Sequence, residues 1–387
     1  MEQSLIGSAF FSGIVLLLVG IVLVARRWLS PGGPAELTIN GKACRTTRGR
    51  NLLGALGELG VLLPSPCGGR GMCGQCKVVI VGESHDPLPN EMAHLSRREI
   101  AAGTCLACVR RIFEDLELKV PEELMRVQKQ RCTIASARSV STFLREITLA
   151  LPEGEVFEFS AGQYLLLYAP PYELRFSDFD IEPEYREFWQ KAGLLTLVSK
   201  VQEPVARAYS LANSPGESNA AVLVVRIAVA PPDAPRGTPP GQVSSYIFGL
   251  APGDKVEIAG PFGDFCVREN EREIVLIAGG AGIAPMRSIV LDQLGCRQTR
   301  RKISLWYGIR SQQDLCYEEE FDALAARYDN FTWQAAVSEL RSNDRWTGAR
   351  GFIHDVIHTQ YLAAHPAPEE LEYYLCGPPV MSIAVIH

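Results

Sequence analysis

The stretch Cys67-Gly68-Gly69-Arg70-Gly71-Met72-Cys73-Gly74-Gln75-Cys76, followed at a distance by Cys108, decides how this chain is to be read. Three thiolates crowded on a glycine-rich loop, with a fourth from a separate segment, suit a [2Fe–2S] cluster. The glycines let the loop bend tightly and bring backbone N–H groups toward sulfurs that would otherwise carry uncompensated negative charge. Zinc is the competing metal, because four thiolates also suit a tetrahedral ion. Zinc sites usually pair two C-x2-C knuckles; here one spacing is C-x5-C and the last cysteine is single, so iron–sulfur is preferred. Cys105 competes for the fourth place. Cys108 is taken as the ligand and Cys105 as a buried thiol.

Around that loop the chain reads as an ordinary globular protein of two to three domains. It has 387 residues, 47% of them apolar and 21% charged, with a formal net charge of −6. With no basic stripe to neutralise phosphates, nucleic acid is not expected as a partner. Eleven cysteines are an odd number spread through a long chain, which fits reduced thiols on a cytosolic face better than a disulfide scaffold.

Residues 4–25, Ser4 to Ala25, carry no charge and approach the ~20 residues that span a ~30 Å hydrocarbon core. A cleaved signal peptide fits poorly, because the apolar run is long and Met1-Glu2-Gln3 lacks a basic flank. A retained transmembrane helix is expected, with Arg26, Arg27 and Trp28 at its cytoplasmic end and the bulk of the chain in the cytoplasm. No ionisable residue lies inside it, so this helix alone offers no ion path. Ser8, Ser12 and Gly13 form a small-residue face where a partner helix could pack, or merely the small residues common in such helices.

Pro31-Gly32-Gly33-Pro34 reads as a linker. Asn40-Gly41 between Leu37-Thr38-Ile39 and Lys42-Ala43-Cys44 signals a type I′ hairpin. A helix over Asn51–Leu59, a strand over Lys77–Val81 and the Leu106-Ala107-Cys108 segment complete a small sheet crossed by a helix, a β-grasp ferredoxin-type arrangement. From Cys132, strands expected at Leu144–Leu149, Gln163–Tyr168, Leu195–Val201 and Ala221–Ala230 argue for an antiparallel barrel. From Glu273, strands at Ile274–Ala278, Lys302–Tyr307, Phe331–Val337 and Tyr373–Leu375 alternate with helices at Ala284–Leu294, Tyr317–Arg327 and Ile353–His358. That alternation means a doubly wound parallel sheet. The expected fold is therefore a multidomain α+β and α/β chain. Its boundaries are 1–30 for the membrane helix and flank, 34–126 for the ferredoxin-type domain, 127–266 for the barrel and 267–387 for the parallel sheet.

Arg207-Ala208-Tyr209-Ser210, at the end of a barrel strand, puts a guanidinium, an aromatic face and a hydroxyl on neighbouring positions. These suit a diphosphate, an isoalloxazine ring and a ring nitrogen. Gly241-Gln242-Val243-Ser244-Ser245, ahead of a helix expected over Tyr246–Gly249, adds amides and hydroxyls that suit phosphate; together the two suggest FAD. The competing reading is a capped helix and a surface strand end. Gly279-Gly280-Ala281-Gly282-Ile283-Ala284-Pro285 follows a buried strand and opens a helix, where glycines admit a pyrophosphate. Cys376-Gly377-Pro378-Pro379 follows the last strand and places a thiol where it could face a nicotinamide, or forms a turn with a half-buried cysteine.

The ferredoxin loop, R-A-Y-S, the Gly260–Gly263 G-P-F-G turn, G-G-A-G-I-A-P and C-G-P-P occur in that order. This pattern resembles the ferredoxin–NADP⁺-reductase-like flavoenzymes with a fused [2Fe–2S] ferredoxin. The apolar N-terminal segment and the run Ser177-Asp178-Phe179-Asp180-Ile181-Glu182-Pro183-Glu184-Tyr185-Arg186 inside the barrel narrow the resemblance. It becomes the family of F subunits of sodium-translocating NADH:quinone oxidoreductases, over nearly the whole chain. The resemblance implies FAD held by Arg207, Tyr209 and Ser210, with Gly241, Ser244 and Ser245 on its phosphates. NADH is implied as substrate over Gly279, Gly280, Gly282, Pro285 and Cys376, with Ser210 and Cys376 at the reacting atoms. Cys67, Cys73, Cys76 and Cys108 are implied as cluster ligands. It further implies an inner-membrane, single-pass protein whose partners are the other membrane subunits of the complex and, through them, ubiquinone. Arg310-Ser311 could in principle greet a 2′-phosphate, so the choice of NADH over NADPH follows the resemblance alone.

Members of that family continue beyond C-G-P-P with a last helix and an acidic-aromatic tail, whereas this sequence stops at Ile386-His387. A shortened C-terminus with impaired flavin shielding is therefore an expectation. The main rival is an NADH-dependent reductase component of a multicomponent oxygenase, which uses the same three modules to serve a different partner. A non-enzymatic carrier with a decayed nucleotide site is a further one.

Overall fold

The computed structural model describes residues 11–22, 24, 32–82, 86–217, 219–231, 234–235, 237–340 and 345–387. It divides into two compact units, Met1–Val127 and Gln128–His387.

In the first unit, Asn40 and Gly41 adopt φ of 48° and 83°, the two left-handed residues of a type I′ turn. Pro34–Ile39 and Lys42–Thr47 therefore pair antiparallel with Ile39 opposite Lys42. Leu116–Lys119 runs parallel to the first strand and antiparallel to Lys77–Val81, which pairs in turn with Thr104–Leu106. The Asn40 side chain ties the turn to the last strand's end, donating to Val120 O at 2.8 Å and accepting from Val120 N at 2.9 Å. Leu37 and Ile39 alternate inward and meet Leu52, Ala55 and Leu56 of the helix Leu52–Glu58. This apolar stripe at helical spacing is what makes the helix cross the sheet.

The expected membrane span lies partly outside the described residues, as do Ser8 and Arg26–Trp28. Residues 11–22 are helical, with Phe11, Leu16 and Leu17 well over half exposed. Among the described residues no helix is long and apolar enough to cross a membrane.

The second unit opens with a six-stranded antiparallel sheet in the order Val205–Ser210, Tyr164–Ala169, Lys255–Phe262, Lys129–Ser139, Leu144–Ala150, Ala220–Arg226. A bridge between Leu211 and Leu223 joins its two edges, so the sheet closes around Ile134, Ile147, Leu149, Leu165 and Leu167. The strand expected at Leu195–Val201 begins only at Val198. Gly193, at φ 70°, opens a 3-10 turn over Leu194–Thr196 instead. That short strand pairs with Tyr172–Arg175 and frames the inserted segment. The insert's helix Pro183–Lys191 buries Trp189 against Phe176, Phe179 and Phe248.

Five parallel strands follow, in the order Ala349–Arg350, Phe331–Val337, Ile303–Ile309, Ile274–Gly279, Glu372–Cys376. Ile274–Gly279 is the pivot. The chain winds outward from it through three strands, then returns to place the last strand on its other side. This is a topological switch point, and the carboxyl ends of the strands there form the crevice of a doubly wound fold. Leu144, Ala161, Ala212 and Val224 of the barrel share one core with Met286, Ile289 and Val290 of the helix Ile283–Leu291. The barrel and the parallel sheet are thus two lobes of one packed body.

Candidate functional site

In the cysteine loop, Gly68, Gly69, Gly71 and Gly74 all lie at φ between 67° and 79°, a region that L side chains with a Cβ rarely enter. Space also excludes side chains there. A Cβ on Gly71 would stand 2.8 Å from Val109 Cγ1, and one on Gly74 2.8 Å from His94 Cβ. The left-handed turns fold the loop back on itself, so that Arg70 N donates to Cys67 Sγ at 3.3 Å and the Cys73 thiol reaches Cys67 Sγ at 3.3 Å. Burial opposes ionisation of Cys67. Amides of Met72, Arg70 and Cys73 and the Cys73 thiol outweigh it and hold the group below its ordinary range.

Cys76 and Cys108 form a second pair. The Cys76 thiol bonds to Cys108 and is held protonated by that bond and by burial. The Cys108 thiol, stabilised as thiolate first by Cys76, is drawn down to about 7. Cys105 stands in the strand Thr104–Leu106, opposite Val78 and fully buried, and burial pushes its thiol up to about 12. The structure therefore brings the four loop and turn cysteines together as two pairs and leaves Cys105 in the core. Among the described residues no group of three or more cysteine, histidine or carboxylate side chains is gathered closely enough to hold a metal ion as it stands.

Two residues that the sequence reading passed over hold the Cys108 turn. Asn51 caps the helix Leu52–Glu58 by accepting from Gly54 N, and its amide donates to Cys108 O at 2.6 Å. Glu91 is fully buried. It accepts from Leu88 N at 2.8 Å, Leu106 N at 3.0 Å and Arg110 Nε at 2.9 Å, with a further bond to Arg110 Nη2. Burial would raise this carboxyl, but Arg110 and the two amides hold it below the usual carboxylate range. An S/T-x-x-E search could not find Glu91, because Leu88 precedes it where a capping hydroxyl is expected.

In the second unit, Arg207, Tyr209 and Ser210 stand half-buried on the strand Val205–Ser210, opposite Leu167, Leu165 and Tyr164. Arg207 Nη1 donates to Ala206 O at 2.7 Å, and burial keeps the Tyr209 phenol protonated. The helix expected over Tyr246–Gly249 begins earlier and spans Gln242–Phe248. Ser244 and Ser245 therefore sit inside its first turns, not ahead of them. Both hydroxyls donate back to Gly241 O, at 3.2 and 2.6 Å. Weak helix formers at Val243-Ser244-Ser245 hid the true start. A Cβ on Gly241 would stand 2.6 Å from Ala228 Cβ, so only glycine lets the chain turn into this helix. The helix packs on the strand that carries Arg207, and its first-turn amides are free of intrahelical partners.

At the switch point, Gly279 ends the first parallel strand, Gly280 to Gly282 form a 3-10 turn, and Pro285 lies in the first turn of Ile283–Leu291. A Pro there removes no helical hydrogen bond. Cys376 ends the neighbouring strand, opposite Ala278. A Cβ on Gly282 would meet Cys376 O at 1.9 Å and Gly377 N at 2.9 Å. The glycine turn and the C-G-P-P turn thus pack backbone to backbone. Burial pushes the Cys376 thiol up to about 11, so it is a neutral thiol at physiological pH.

Comparison with known proteins gives three matches to family models. They are a 2Fe-2S iron-sulfur cluster binding domain at residues 37–112, an oxidoreductase FAD-binding domain at 188–266 and an oxidoreductase NAD-binding domain at 276–386. The chain is 46% identical over 385 residues to the F subunit of the Na(+)-translocating NADH-quinone reductase of Neisseria meningitidis serogroup B, covering 99% of this chain and 95% of that one. It is 46% identical over 387 residues to the corresponding protein of Klebsiella pneumoniae, with the same coverage. Among solved structures, the Amycolatopsis cytochrome P450 reductase GcoB superposes with a TM-score of 0.60 at 26% identity, covering 91% of this chain and 93% of that one. The ferredoxin reductase in carbazole 1,9a-dioxygenase does so at 0.58 and 23%, covering 92% and 93%, which speaks to fold alone.

Proposed function

We infer function from the premise that this chain belongs to the family of F subunits of the Na(+)-translocating NADH-quinone reductase. It is the electron-input component of an NADH:quinone oxidoreductase and uses FAD and a [2Fe–2S] cluster. When bound, the flavin accepts hydride and the cluster relays single electrons. What the chain's own residues do is hold, orient and shield these groups.

Cys67, Cys73, Cys76 and Cys108 are proposed as the cluster ligands, and one observation carries this reading. The sulfurs lie in two pairs, which would suit two thiols to each of two irons, with amides already aimed at Cys67. A single tetrahedral zinc would need all four on one centre. Arg207, Tyr209 and Ser210 fit FAD as donor, ring face and hydroxyl on neighbouring positions of one strand. Gly241 and the amides at the start of Gln242–Phe248 fit its phosphates. Ser244 and Ser245 contribute by fixing the Gly241 turn, since their hydroxyls are spent on Gly241 O. NADH is placed over Gly279, Gly280, Gly282 and Pro285, with Cys376 and Ser210 at the reacting atoms. A neutral Cys376 thiol can face a nicotinamide without repelling hydride.

The segment at residues 4–25 is proposed as a single-pass anchor in the bacterial inner membrane, with residues 34–387 in the cytoplasm. The exposed apolar side chains of residues 11–22 support it, because such a helix needs a cover that water does not provide. The partners are then the other membrane subunits, and quinone receives the electrons through them. The oxygenase-reductase alternative shares the fold with the solved structures above, but the 46% identity lies with the quinone reductases.

Anaerobic titration with NADH, followed by visible absorption and EPR, tests the whole reading. Flavin bleaching should precede a reduced [2Fe–2S] signal. A silent EPR spectrum in spite of flavin reduction would sink the proposed route.

A further inference from the structure

Beyond the switch point, two donors that suit a phosphate are already held by carboxylates. The second parallel strand, Ile303–Ile309, leads into Arg310 and Ser311; the third, Phe331–Val337, leads into Ser338 and Glu339. Main-chain bonds lock these two ends together, Ser338 N to Ile309 O at 3.0 Å and Glu339 N to Arg310 O at 2.8 Å. In that register the Glu339 carboxylate accepts from Arg310 Nε at 2.9 Å. The Ser311 amide and hydroxyl both donate to Asp314 Oδ2, at 3.0 and 2.9 Å.

In a doubly wound nucleotide site the adenosine ribose lies at the end of the second strand. An acid there takes its 2′-hydroxyl, whereas an arginine takes a 2′-phosphate. The glycine turn at Gly279–Gly282 identifies the first strand, so Arg310-Ser311 marks the ribose position. Taken alone, these two residues would favour NADPH. Glu339 and Asp314 reverse that expectation.

We propose that Glu339 and Asp314 are specificity-determining residues that reserve the site for an adenosine with a free 2′-hydroxyl, NADH rather than NADPH. The proposal rests on the reading that NADH docks on this sheet edge. A 2′-phosphate entering here meets an Arg310 whose Nε is already bonded to Glu339 and a buried Ser311 closed by Asp314, and has to sit beside both negative charges. Arg310 and Glu339 are 65% and 61% exposed, so their pair adds little to stability, and its loss leaves the fold intact. The pair's role is to occupy the guanidinium.

The test is calorimetric titration of the oxidised holoprotein with ADP-ribose and with 2′-phospho-ADP-ribose. In Glu339→Gln the ratio of the two affinities should shift about tenfold toward the 2′-phosphate, which is ~1.4 kcal/mol. Asp314→Asn should shift it in the same direction. Adding Arg310→Ala to Glu339→Gln should cancel the gain, because the freed guanidinium is what takes the phosphate. A ratio within twofold of the parent in Glu339→Gln, or a gain that survives loss of Arg310, overturns the proposal while leaving docking intact. If the parent binds neither compound at millimolar concentration, the docking reading itself falls and this one falls with it. Rates of flavin reduction by NADPH and NADH should follow the same order.

Discussion

At the scale of single residues, the ligand question turns on two cysteines three positions apart. Cys108 stands on a turn held by Asn51, with its sulfur bonded to Cys76; Cys105 points from a strand into the core. Cys108→Ala should abolish the cluster's absorption and EPR signals and leave the flavin reducible by NADH. Cys105→Ala should keep both signals and cost stability alone, about 1–2 kcal/mol for a small buried cavity. Loss of the cluster in Cys105→Ala with retention in Cys108→Ala would reverse the assignment. Glu91 supports the same turn. Its folded carboxyl lies below the usual range, so its contribution is complete above the unfolded pKa of about 4.3 and is lost as pH falls through the lower folded value. Glu91→Gln should therefore cost the first unit about 3 kcal/mol near pH 6, because it leaves Arg110 half-paired in a buried setting. In urea unfolding the gap between parent and variant should close below about pH 4. A gap that stays constant with pH would mean the carboxylate charge is not what matters.

At the scale of elements, what the sequence showed plainly was whatever depends on near neighbours. Asn40-Gly41 dictates its turn by two left-handed residues, and the buried run Ile274–Gly279 followed by glycines dictates strand, turn and helix in order. What stayed hidden depends on partners far along the chain. The role of Glu91 appears only once Arg110 and Leu106 are folded against it. The start of the Gln242–Phe248 helix is decided by packing on the barrel, not by its own weak propensity. The glycine turn shows the difference within three residues. Gly280 has a positive φ of 54° but open space around the missing side chain, whereas Gly282 has ordinary backbone angles and no space at all. Gly280→Ala should then cost about 1–2 kcal/mol for its backbone alone. Gly282→Ala must push Cys376 away from the first strand, because its obstacle is backbone and cannot rotate aside. The KM for NADH should rise more than tenfold in Gly282→Ala, with FAD content retained, and far less in Gly280→Ala. The reverse order would show that turn geometry, not contact between the two strand ends, shapes the nucleotide crevice.

At the scale of the whole molecule, the question is how many parts this chain folds in. Motifs count three modules after the N-terminal segment, yet the packing counts two units, because barrel and parallel sheet share one core. That shared core is reinforced by directed bonds. Arg287 Nη1 donates to Ala212 O at 2.7 Å and its Nε to Glu320 at 2.6 Å, while Ser288 Oγ donates to Asn213 O at 2.7 Å. Tyr317, held at a left-handed φ of 64°, donates its hydroxyl to Glu146 of the barrel at 2.5 Å and lies under the Arg287 guanidinium. A bulky residue keeps that backbone conformation only where its surroundings over-determine it. Hydride transfer tolerates little misplacement of donor against acceptor, so a fixed relation between the lobes that hold them has a direct use. Scanning calorimetry should accordingly show two unfolding transitions. The one belonging to Gln128–His387 should carry barrel and parallel sheet together, and excess FAD at 100 times its Kd should stabilise it by about 2.7 kcal/mol. Tyr317→Phe should lower that same midpoint without splitting it, since the apolar core still joins the lobes. Three resolved transitions, or a FAD-stabilised barrel that melts apart from the parallel sheet, would show that the shared core does not couple the two lobes, and that their alignment for hydride transfer must come from the nucleotide itself.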